Sequence, residues 1–262
     1  LLALLSDMKP HSADSLAEKL GGDEQGVIEI ITRLRDLGIG ISSDETNGFV
    51  LAEEIELLDE STILARLDPG TRRRLVRLET GLTLDSTSSV LQRLSLDQQH
   101  GVAIMAEHQS AGRGRRGRRW VSPFARNIYR SLGWRFKSKV AELGCLPLVV
   151  ALAVARALAN AGLSGHRVKW PNDLLLEGRK LAGCLVDIQS DNKGPCHAII
   201  GVGINVRMPE SGLTAEIDQA WTDLETALPD LSRNHLASLL LRTLTEDLSR
   251  FAEQGFEPFR PY

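Results

Sequence analysis

Apolar and polar positions along the chain follow two different patterns, which divide the sequence into two parts. Within the first fifty residues, apolar side chains recur at helical spacing. The clearest run is Val27, Ile28, Ile31, Leu34 and Leu37. From about Leu78, short apolar runs of strand length alternate with amphipathic stretches. The patterns predict a small helical domain over residues 1–60 and a larger α/β domain over residues 61–262.

Local signals in the first domain predict three helices and a two-stranded hairpin. The predicted elements are helices over residues 1–8, 11–20 and 23–38 and strands over residues 40–42 and 48–51. Glycines at positions 21 and 38 can adopt the left-handed conformation that ends a helix. The turn-rich residues 43–47 separate the two strands. This order of elements resembles a winged helix-turn-helix domain.

The second part alternates between helix-like and strand-like stretches and predicts a domain built around a mixed sheet. The predicted strands are residues 101–107, 173–176, 180–188 and 198–206, and the predicted helices are residues 91–96, 147–161 and 234–251. Glu177-Gly178 joins two of these strands as a hairpin turn. A polar cluster over residues 85–89 precedes the first of the helices. The fold class is therefore α+β or α/β.

Composition and cysteine usage are typical of a soluble intracellular protein. The chain has 262 residues, of which 25% are charged and 42% are apolar. Its longest apolar stretch, residues 143–155, is interrupted by Pro147 and followed by Arg156, so it is expected to be too short for a membrane span. The three cysteines form no CxxC pair, which disfavours a disulfide framework or a structural zinc site. The chain opens on Leu1 instead of methionine and shows no basic segment before its first apolar residues, so we expect a slightly trimmed cytoplasmic protein without a secretory leader.

Five arginines crowd into residues 111–119, where they alternate with three glycines. Glycine lets the backbone approach a ligand closely, and guanidinium groups bind phosphate or carboxylate oxygens in a forked geometry. Because the whole chain has a net charge of -3, this concentration predicts a local anion site, most simply for phosphate. The alternative is a basic segment that grips RNA or DNA without sequence preference. The glycines and like charges also predict a loop that is mobile when empty and closes over its ligand.

Further motifs accompany this loop in a fixed order. They are Asp85-Ser86-Thr87-Ser88 before it, and Lys169-Trp170-Pro171-Asn172-Asp173, Arg179-Lys180-Leu181-Ala182-Gly183 and Gly201-Val202-Gly203-Ile204-Asn205 after it. Together with the stretch from Gln109 to Arg118, their wording and spacing resemble the bacterial biotin protein ligases of the bifunctional ligase and repressor type. The resemblance covers nearly the whole chain.

The resemblance implies a fold, a reaction and partners. The fold is a winged helix-turn-helix domain followed by a mixed-sheet catalytic domain like that of class II synthetases. The reaction joins biotin and ATP, with Mg²⁺, to give biotinyl-adenylate, and then transfers biotin to a lysine of a biotin carboxyl carrier protein. Such proteins act as homodimers that bind operator DNA. They also carry a small C-terminal β-barrel domain, which is absent from this sequence ending at Tyr262, either because the sequence is truncated or because the domain is missing.

Matching the motifs residue by residue assigns roles to individual side chains. The catalytic pair is Lys180, which faces the biotin carboxylate and the phosphate, and Arg115, which grips the phosphate. The biotin-binding residues are Ser86, Thr87, Ser88, Gln109, Arg113, Gly114, Arg115, Lys180, Gly183 and Gly203. The residues for ATP or the adenylate are Arg115, Arg118, Trp120, Asn172, Lys180 and Asn205. Asp173 is the candidate ligand for Mg²⁺.

The residues themselves leave simpler interpretations open. Lys180 could be an ordinary solvated lysine beside a turn, and Ser86 or Thr87 could cap a helix rather than bind the ureido ring of biotin. Ser88 stands where the family pattern has asparagine, so its contact with the ligand is expected to differ. The stretch Asn172-Asp173 could serve only as a turn, and the glycines of the Gly201 motif could mark a β-bulge.

The expectation of DNA binding meets an unfavourable charge. Residues 1–50 hold four basic and nine acidic side chains, a net charge of -5, and the predicted recognition helix begins with Asp23-Glu24. Phosphates favour basic or neutral groups at such a position. Two rival functions also remain: a transcription regulator that senses biotin without catalysis, and a lipoate or octanoyl ligase of similar fold.

Overall fold

The computed structural model of the protein describes residues 1–44, 48–137, 140–190, 195–209, 214 and 217–260. The chain divides into two compact units, Leu1–Glu56 and Leu57–Tyr262. The division falls a few residues before the boundary that we predicted at residue 60. The sequence pattern changes too gradually there to fix the position, because an acidic segment links the last strand of the first unit to the next helix.

The first unit contains three helices followed by an antiparallel pair of strands. Its elements are α1 (Leu2–Leu5), α2 (Ala13–Leu20), α3 (Glu24–Asp36), β1 (Ile41–Asp44) and β2 (Gly48–Leu51). The Ser12 hydroxyl accepts a hydrogen bond from the Ser15 N–H at 3.2 Å, and Asp23 caps α3 in the same way through Gly26 at 2.8 Å. Helix α2 ends at Gly21, whose φ is +69°. These local caps are the reason that the order of elements was predictable.

Two details of the first unit differ from prediction or lie beyond description. Helix α1 ends at Leu5 instead of continuing to residue 8, and Met8 has a φ of +57°, which helical backbone does not allow. Of the predicted turn over residues 43–47, residues 45–47 lie outside the described residues. Leu16 and Ile31 are fully buried and pack the helices together.

The second unit is built on a seven-stranded mixed sheet. Its strands are β3 (Arg77–Leu84), β4 (Val102–Gln109), β5 (Ile128–Phe136), β6 (Arg167–Lys169), β7 (Asp173–Leu176), β8 (Arg179–Gln189) and β9 (Cys196–Ile204). They lie in the order β3-β4-β5-β9-β8-β7-β6. Strands β3 and β4 run parallel, and every other neighbouring pair is antiparallel. The mixed-sheet fold class predicted from the sequence is therefore confirmed.

Helices cover this sheet and bury its apolar side chains. They are α4 (Glu60–Ala65), α5 (Pro69–Arg74), α6 (Thr87–Gln92), α7 (Leu96–Gln99), α8 (Leu146–Asn160) and α9 (Arg233–Gln254). Helix α8 is rich in alanine and leucine and carries Pro147 in its first turn, where the missing N–H costs nothing. Helices α8 and α9 supply much of the main core, with Val150 and Leu240 fully buried. The core thus fixes the sheet whose open face carries the candidate site.

Several elements differ from the sequence prediction. The helix predicted over residues 91–96 instead runs from Thr87 to Gln92, so residues 87–89 of the polar cluster lie within its first turn. Strands β3, β5 and β6 were not predicted. Strand β5 is buried on both faces, so it lacks the alternation of apolar and polar residues that marks a half-exposed strand, and its Arg130 and Ser131 look like surface positions.

The apolar run that ends at Asn160 needs a correction of a different kind. By length and composition, residues Val140–Asn160 are long and apolar enough to cross a membrane. The prediction had considered only residues 143–155, which are too few for a membrane span. In the structure, α8 occupies most of this run and packs against α9 and β8. The apolarity of the helix is therefore explained by its place in the core.

Candidate active site

A cavity of about 380 Å³ opens over strands β8 and β9. Its charged lining consists of six arginines, two lysines and one aspartate: Arg113, Arg115, Arg116, Arg118, Arg119, Arg130, Lys169, Lys180 and Asp173. Such an excess of cationic groups attracts anions. Of the residues predicted to bind a ligand, all line this cavity except Asn205. The structure therefore brings together motifs that are up to 117 positions apart, from Ser86 to Gly203.

One wall of the cavity is a cluster of buried hydroxyl groups, which we call the hydroxyl recess: Thr87, Ser88 and Ser131. The Ser131 hydroxyl lies 2.8 Å from that of Thr87 and 2.9 Å from that of Ser88. Gln109 accepts a hydrogen bond from the Thr87 N–H at 2.9 Å and donates one to Ser122 at 3.3 Å. The recess can therefore both donate and accept hydrogen bonds, as a neutral polar ring requires.

Ser131 was not predicted from the sequence. The structure also distinguishes between the two interpretations of Ser86, a helix cap or a residue of the cavity wall. Ser86 occupies the position before α6, but its side chain makes no capping hydrogen bond. It is buried in the cavity wall, so capping does not explain it. A serine inside an otherwise apolar buried strand is the signal that could have located Ser131, had the strand itself been recognised.

The arginine loop, residues 111–119, folds back on itself above the cavity. A short 3-10 turn spans Arg115–Gly117, and the Gly114 N–H donates to the Arg118 carbonyl at 2.7 Å. Arg116 has a φ of +58°, a left-handed conformation that is uncommon outside glycine. A Cβ at Gly112 would lie 2.4 Å from the Trp120 carbonyl oxygen, so the loop can close only with glycine there.

Two arginines fasten this loop to neighbouring elements. Arg113 lies 3.3 Å from the Asp187 carboxylate on β8 and donates to Gln92 on α6 at 3.1 Å. Arg115 donates to the Asn172 side-chain carbonyl at 2.6 Å. Because Asn172 follows strand β6, the second contact connects the loop to the opposite side of the cavity. The two arginines therefore connect the loop to elements on two different sides of the cavity.

Lys180 lies on the cavity floor beside an aromatic ring. Its Nζ is 3.1 Å from the Asp173 Oδ1 and 5.5 Å from the centre of the Trp120 ring. The indole of Trp120 packs on bare backbone: a Cβ at Gly203 would lie 2.4 Å from it, and one at Gly183 would lie 2.9 Å from it. The position of Trp120 therefore requires glycine at 183 and 203. This requirement was not predicted from the sequence. The indole N–H of Trp120 is buried and has no hydrogen-bond partner among the described residues.

Arg130 also belongs to the lining, and its environment is unusual. It is 1% exposed, and none of its three guanidinium nitrogens has a hydrogen-bond partner within the described part of the chain. Burial lowers the pKa of Arg130 to about 9, and burial likewise raises the pKa of the neighbouring Cys184 to about 12. Nothing in the sequence pattern marks Arg130 as a buried cation.

Asn205 lies outside the cavity lining, so its placement does not support the predicted contact with the adenylate. Its side-chain amide donates to the carbonyl of Thr222 at 2.9 Å and to that of Lys180 at 3.4 Å. Its backbone N–H donates to Leu181 at 2.9 Å. The residue follows the end of β9, and its hydrogen bonds to the Lys180 and Leu181 carbonyls position the segment that carries Lys180.

The lining offers limited support for a metal ion. No group of three or more histidine, cysteine, aspartate or glutamate residues that could hold a metal occurs among the described positions. Asp173 is the single carboxylate of the lining, and it lies beside Lys180 and accepts a hydrogen bond from Asn172 at 3.2 Å. Mg²⁺ is commonly held by one or two carboxylates together with phosphate and water. Asp173 is therefore the one lining carboxylate that such an ion would find.

The mixed sheet carries a cationic cavity beside the hydroxyl recess, and comparison with known proteins places the chain in the ligase class. The model of the biotin/lipoate A/B protein ligase family matches residues 81–205, which contain the recess, the arginine loop and Lys180. A solved structure described as biotin protein ligase from Aquifex aeolicus in complex with biotin and ATP has a similar fold. The TM-score is 0.59 at 29% identity, and the match covers 71% of this chain and 75% of that one.

Sequence relatives narrow the class further. The bifunctional ligase/repressor BirA of Escherichia coli strain K12 is 38% identical over 259 residues, which cover 99% of this chain and 78% of that protein. The biotin--[acetyl-CoA-carboxylase] ligase of Mycobacterium tuberculosis is 37% identical over 205 residues, covering 71% of this chain and 69% of that protein. The chain belongs to the biotin protein ligase family.

Proposed function

We propose that the protein activates biotin with ATP as biotinyl-5'-adenylate and transfers the biotin to a lysine of a biotin carboxyl carrier protein. The observation that carries this proposal is one cavity in which a buried hydroxyl recess adjoins the cationic pair Lys180 and Arg115. A recess of this kind suits the polar head of biotin, and the cations suit its carboxylate together with a nucleotide phosphate.

In the first step, a carboxylate oxygen of biotin forms a bond to the α-phosphorus of ATP while the bond to the bridging oxygen breaks. Pyrophosphate leaves with the electrons of that bond. Both reactants are anionic, so the enzyme's task is to offset their repulsion and to hold them in line. Lys180 and Arg115 perform this task. Each is already held in place in the cavity, by Asp173 and Asn172 respectively.

The head of biotin is bound by the hydroxyl recess. The ureido ring offers two N–H donors and one carbonyl acceptor, which match Ser86, Thr87, Ser88 and Gln109. Ser131 adds a hydroxyl to this set, since it contacts two of those residues. Ser88 is shorter than the asparagine of the family pattern, and the Ser131 hydroxyl fills the neighbouring space. The backbone at Arg113, Gly114 and Gly183 lines the path to the phosphate end.

The nucleotide lies in the same cavity. Arg118 and Asn172 are among the lining residues, and Trp120 provides an aromatic wall for the adenine. Magnesium, when bound with ATP, would neutralise phosphate charge, and Asp173 would hold it. In the second step, the neutral amine of the acceptor lysine attacks the carboxyl carbon of the adenylate. An amide bond forms, and AMP leaves with the electrons of the broken anhydride bond.

Incubation with biotin, ATP and a purified carrier domain tests the proposal, with mass spectrometry of the carrier as the readout. We expect a mass increase equal to one biotinyl group, and we expect Lys180→Gln to abolish it. Pyrophosphate release without a carrier separates this enzyme from a regulator that senses biotin without catalysis. Replacing biotin with lipoate or octanoate separates it from the ligases of similar fold, because only biotin is expected to support release.

A second candidate function is biotin-dependent repression by a homodimer that binds operator DNA. The observation that favours it is the similarity to a ligase/repressor over 99% of the chain, which includes the first unit. The net charge of -5 on residues 1–50 opposes tight DNA binding. A mobility-shift titration with DNA upstream of biotin-synthesis genes, with and without biotin and ATP, decides it. The absence of any ligand-dependent shift would remove this function.

A further inference from the structure

We propose that the rim of the cavity is the docking surface for the acceptor protein, and that this partner is an acidic domain whose lysine enters the cavity. The rim consists of Trp170, Lys169, Arg116 and Arg118, and we call it the docking rim. This inference rests on the proposed function, because the rim matters only if a protein-bound lysine reacts in the cavity. None of the assignments above gives Trp170 or Lys169 a role in either step.

Trp170 is the first observation. Its side chain is 78% exposed, the most exposed of the large hydrophobic residues described, yet it lines the cavity mouth. The turn beneath it is firmly held: the Asn172 N–H donates to the Lys169 carbonyl at 3.2 Å, and the Cys184 N–H donates to the Asn172 carbonyl at 2.9 Å. A rigidly mounted, exposed indole is costly in water and is typical of the anchor residues of protein interfaces.

Charge is the second observation and determines the chemistry of the partner. Lys169, Arg116 and Arg118 are exposed and line the same cavity. No salt bridge within the described residues involves any of the three. When pyrophosphate leaves after the first step, most of the anionic charge in the cavity leaves with it, while the cations stay. The rim then complements an acidic surface at the moment when the acceptor lysine has to approach.

A nucleotide base is the other group that could cover Trp170, and the two occupants make opposite predictions. If the indole stacked on adenine, its loss would impair adenylate formation. If it contacts the acceptor protein, its loss impairs only the second step, and only when the acceptor is a protein. A small amine needs no docking surface, so it provides a measure of the second chemical step alone.

The experiment compares the full-length chain with Trp170→Ala in three assays. These are biotin-dependent exchange of pyrophosphate into ATP, transfer of biotin to a purified carrier domain, and transfer to hydroxylamine. We expect unchanged exchange, unchanged transfer to hydroxylamine and a KM for the carrier raised at least tenfold. The matched control is Val76→Ala, which removes another exposed apolar side chain, 72% exposed and outside the cavity lining, and is expected to alter none of the three.

Charge is tested separately with Lys169→Glu. We expect it to raise the KM for the carrier and to weaken the dependence of that KM on NaCl, since exposed charges are screened by salt. A fall in exchange equal to the fall in transfer would overturn the docking rim in favour of nucleotide stacking, as would an unchanged KM for the carrier in both variants. Absence of exchange in the wild-type protein would instead refute the proposed function itself.

Discussion

At the scale of single residues, Arg130 is the least expected finding. A guanidinium group normally forms several hydrogen bonds when it is removed from water, and Arg130 has none among the described residues. Strand neighbours cannot compensate it, because Arg130 pairs in the sheet with Met105 and Val202. Its lowered pKa reflects this burial and implies that the folded state binds the Arg130 proton less tightly than the unfolded chain does.

Replacing Arg130 with methionine, which keeps the length and removes the charge, is expected to stabilise the protein by at least about 1 kcal/mol at pH 7. Between pH 9 and 12 the unfolded chain holds the Arg130 proton while the folded protein releases it. The contribution of Arg130 to the free energy of unfolding of the wild-type protein therefore rises with pH in this range. The advantage of Arg130→Met should therefore shrink as pH rises above about 9. Urea unfolding of both proteins at pH 7 and pH 10 measures it. A methionine variant less stable than wild type at pH 7 would contradict the argument.

A second prediction at this scale concerns the bare backbone under Trp120. In Gly203→Ala the new methyl group would overlap the indole, at 2.4 Å in the present position, so the ring has to shift from that position. We expect the Kd for biotin to rise about tenfold or more, with a change in tryptophan fluorescence. Gly144→Ala is the control, because its methyl group would meet no heavy atom closer than 3.9 Å. Equal biotin affinity in the two variants would show that the position of Trp120 does not affect biotin binding.

At the scale of elements, the arginine loop combines order with weak anchoring. Its backbone closes through hydrogen bonds from Gly114 and Trp120, while exposed contacts to Gln92 and Asp187 hold it to the sheet. Exposed ion pairs contribute little, typically less than about 1 kcal/mol. The loop can therefore open at small cost, and a bound adenylate supplies a further anion for its arginines.

Hydrogen exchange tests the closing of this loop. Amide exchange over residues 111–119 is expected to slow by at least about fivefold when biotin and ATP are added together, because adenylate contacts hold the loop shut. Amides of the buried strand β5 serve as the internal reference and should not change. If the loop exchanged equally fast with and without ligands, the closing lid would be refuted.

A complementary prediction concerns the contact between Arg115 and Asn172, which we call the clamp. Arg115 joins the loop to Asn172, so Arg115→Gly should let biotinyl-adenylate escape before transfer. We expect the variant to label bystander lysines of an added inert protein more strongly than the wild-type enzyme does. Arg179→Gly, which removes an exposed arginine outside the cavity lining, serves as the control. Background labelling that stays at the wild-type level would count against the clamp.

The same elements define how far the sequence could be read. Strands β7, β8 and β9 and helices α8 and α9 were predictable, because their apolar runs end at glycine, proline or polar turns. The start of α6 was misplaced, since Thr87 and Ser88 resemble a polar linker until their partner Ser131 is known. Contacts between distant strands leave no periodic trace in the chain. The motifs identified the charged residues of the site. The packing of Trp120 on glycine is a tertiary contact and could be recognised only in the structure.

At the scale of the whole molecule, a buried ion pair fixes the start of the second unit. Glu107 on β4 and Arg233 at the beginning of α9 form a salt bridge, and each is 3% exposed. The Glu107 carboxylate also accepts a hydrogen bond from the Leu58 N–H, and Arg233 donates to the Asn127 carbonyl at 2.9 Å. Segments separated by more than a hundred residues therefore meet at one pair of charges.

Glu107→Gln is expected to lower the free energy of unfolding by about 3 kcal/mol, because Arg233 then remains buried beside a neutral amide. Urea unfolding monitored by circular dichroism measures the loss. The control Glu177→Gln removes an exposed pair with Arg179 and should change stability by less than about 0.5 kcal/mol. Similar losses in both variants would show that burial of the pair does not matter.

The distribution of charge between the cavity and the rest of the molecule has one more consequence. The lining carries eight basic side chains and one acidic one, a net +7, while the chain as a whole carries -3, which leaves -10 elsewhere. A polymer such as RNA extends beyond the lining and its docking rim, so most of its length meets residues of net negative charge. A mononucleotide that fits inside meets the opposite sign. We expect this distribution of charge to favour small phosphate-bearing molecules over long ones.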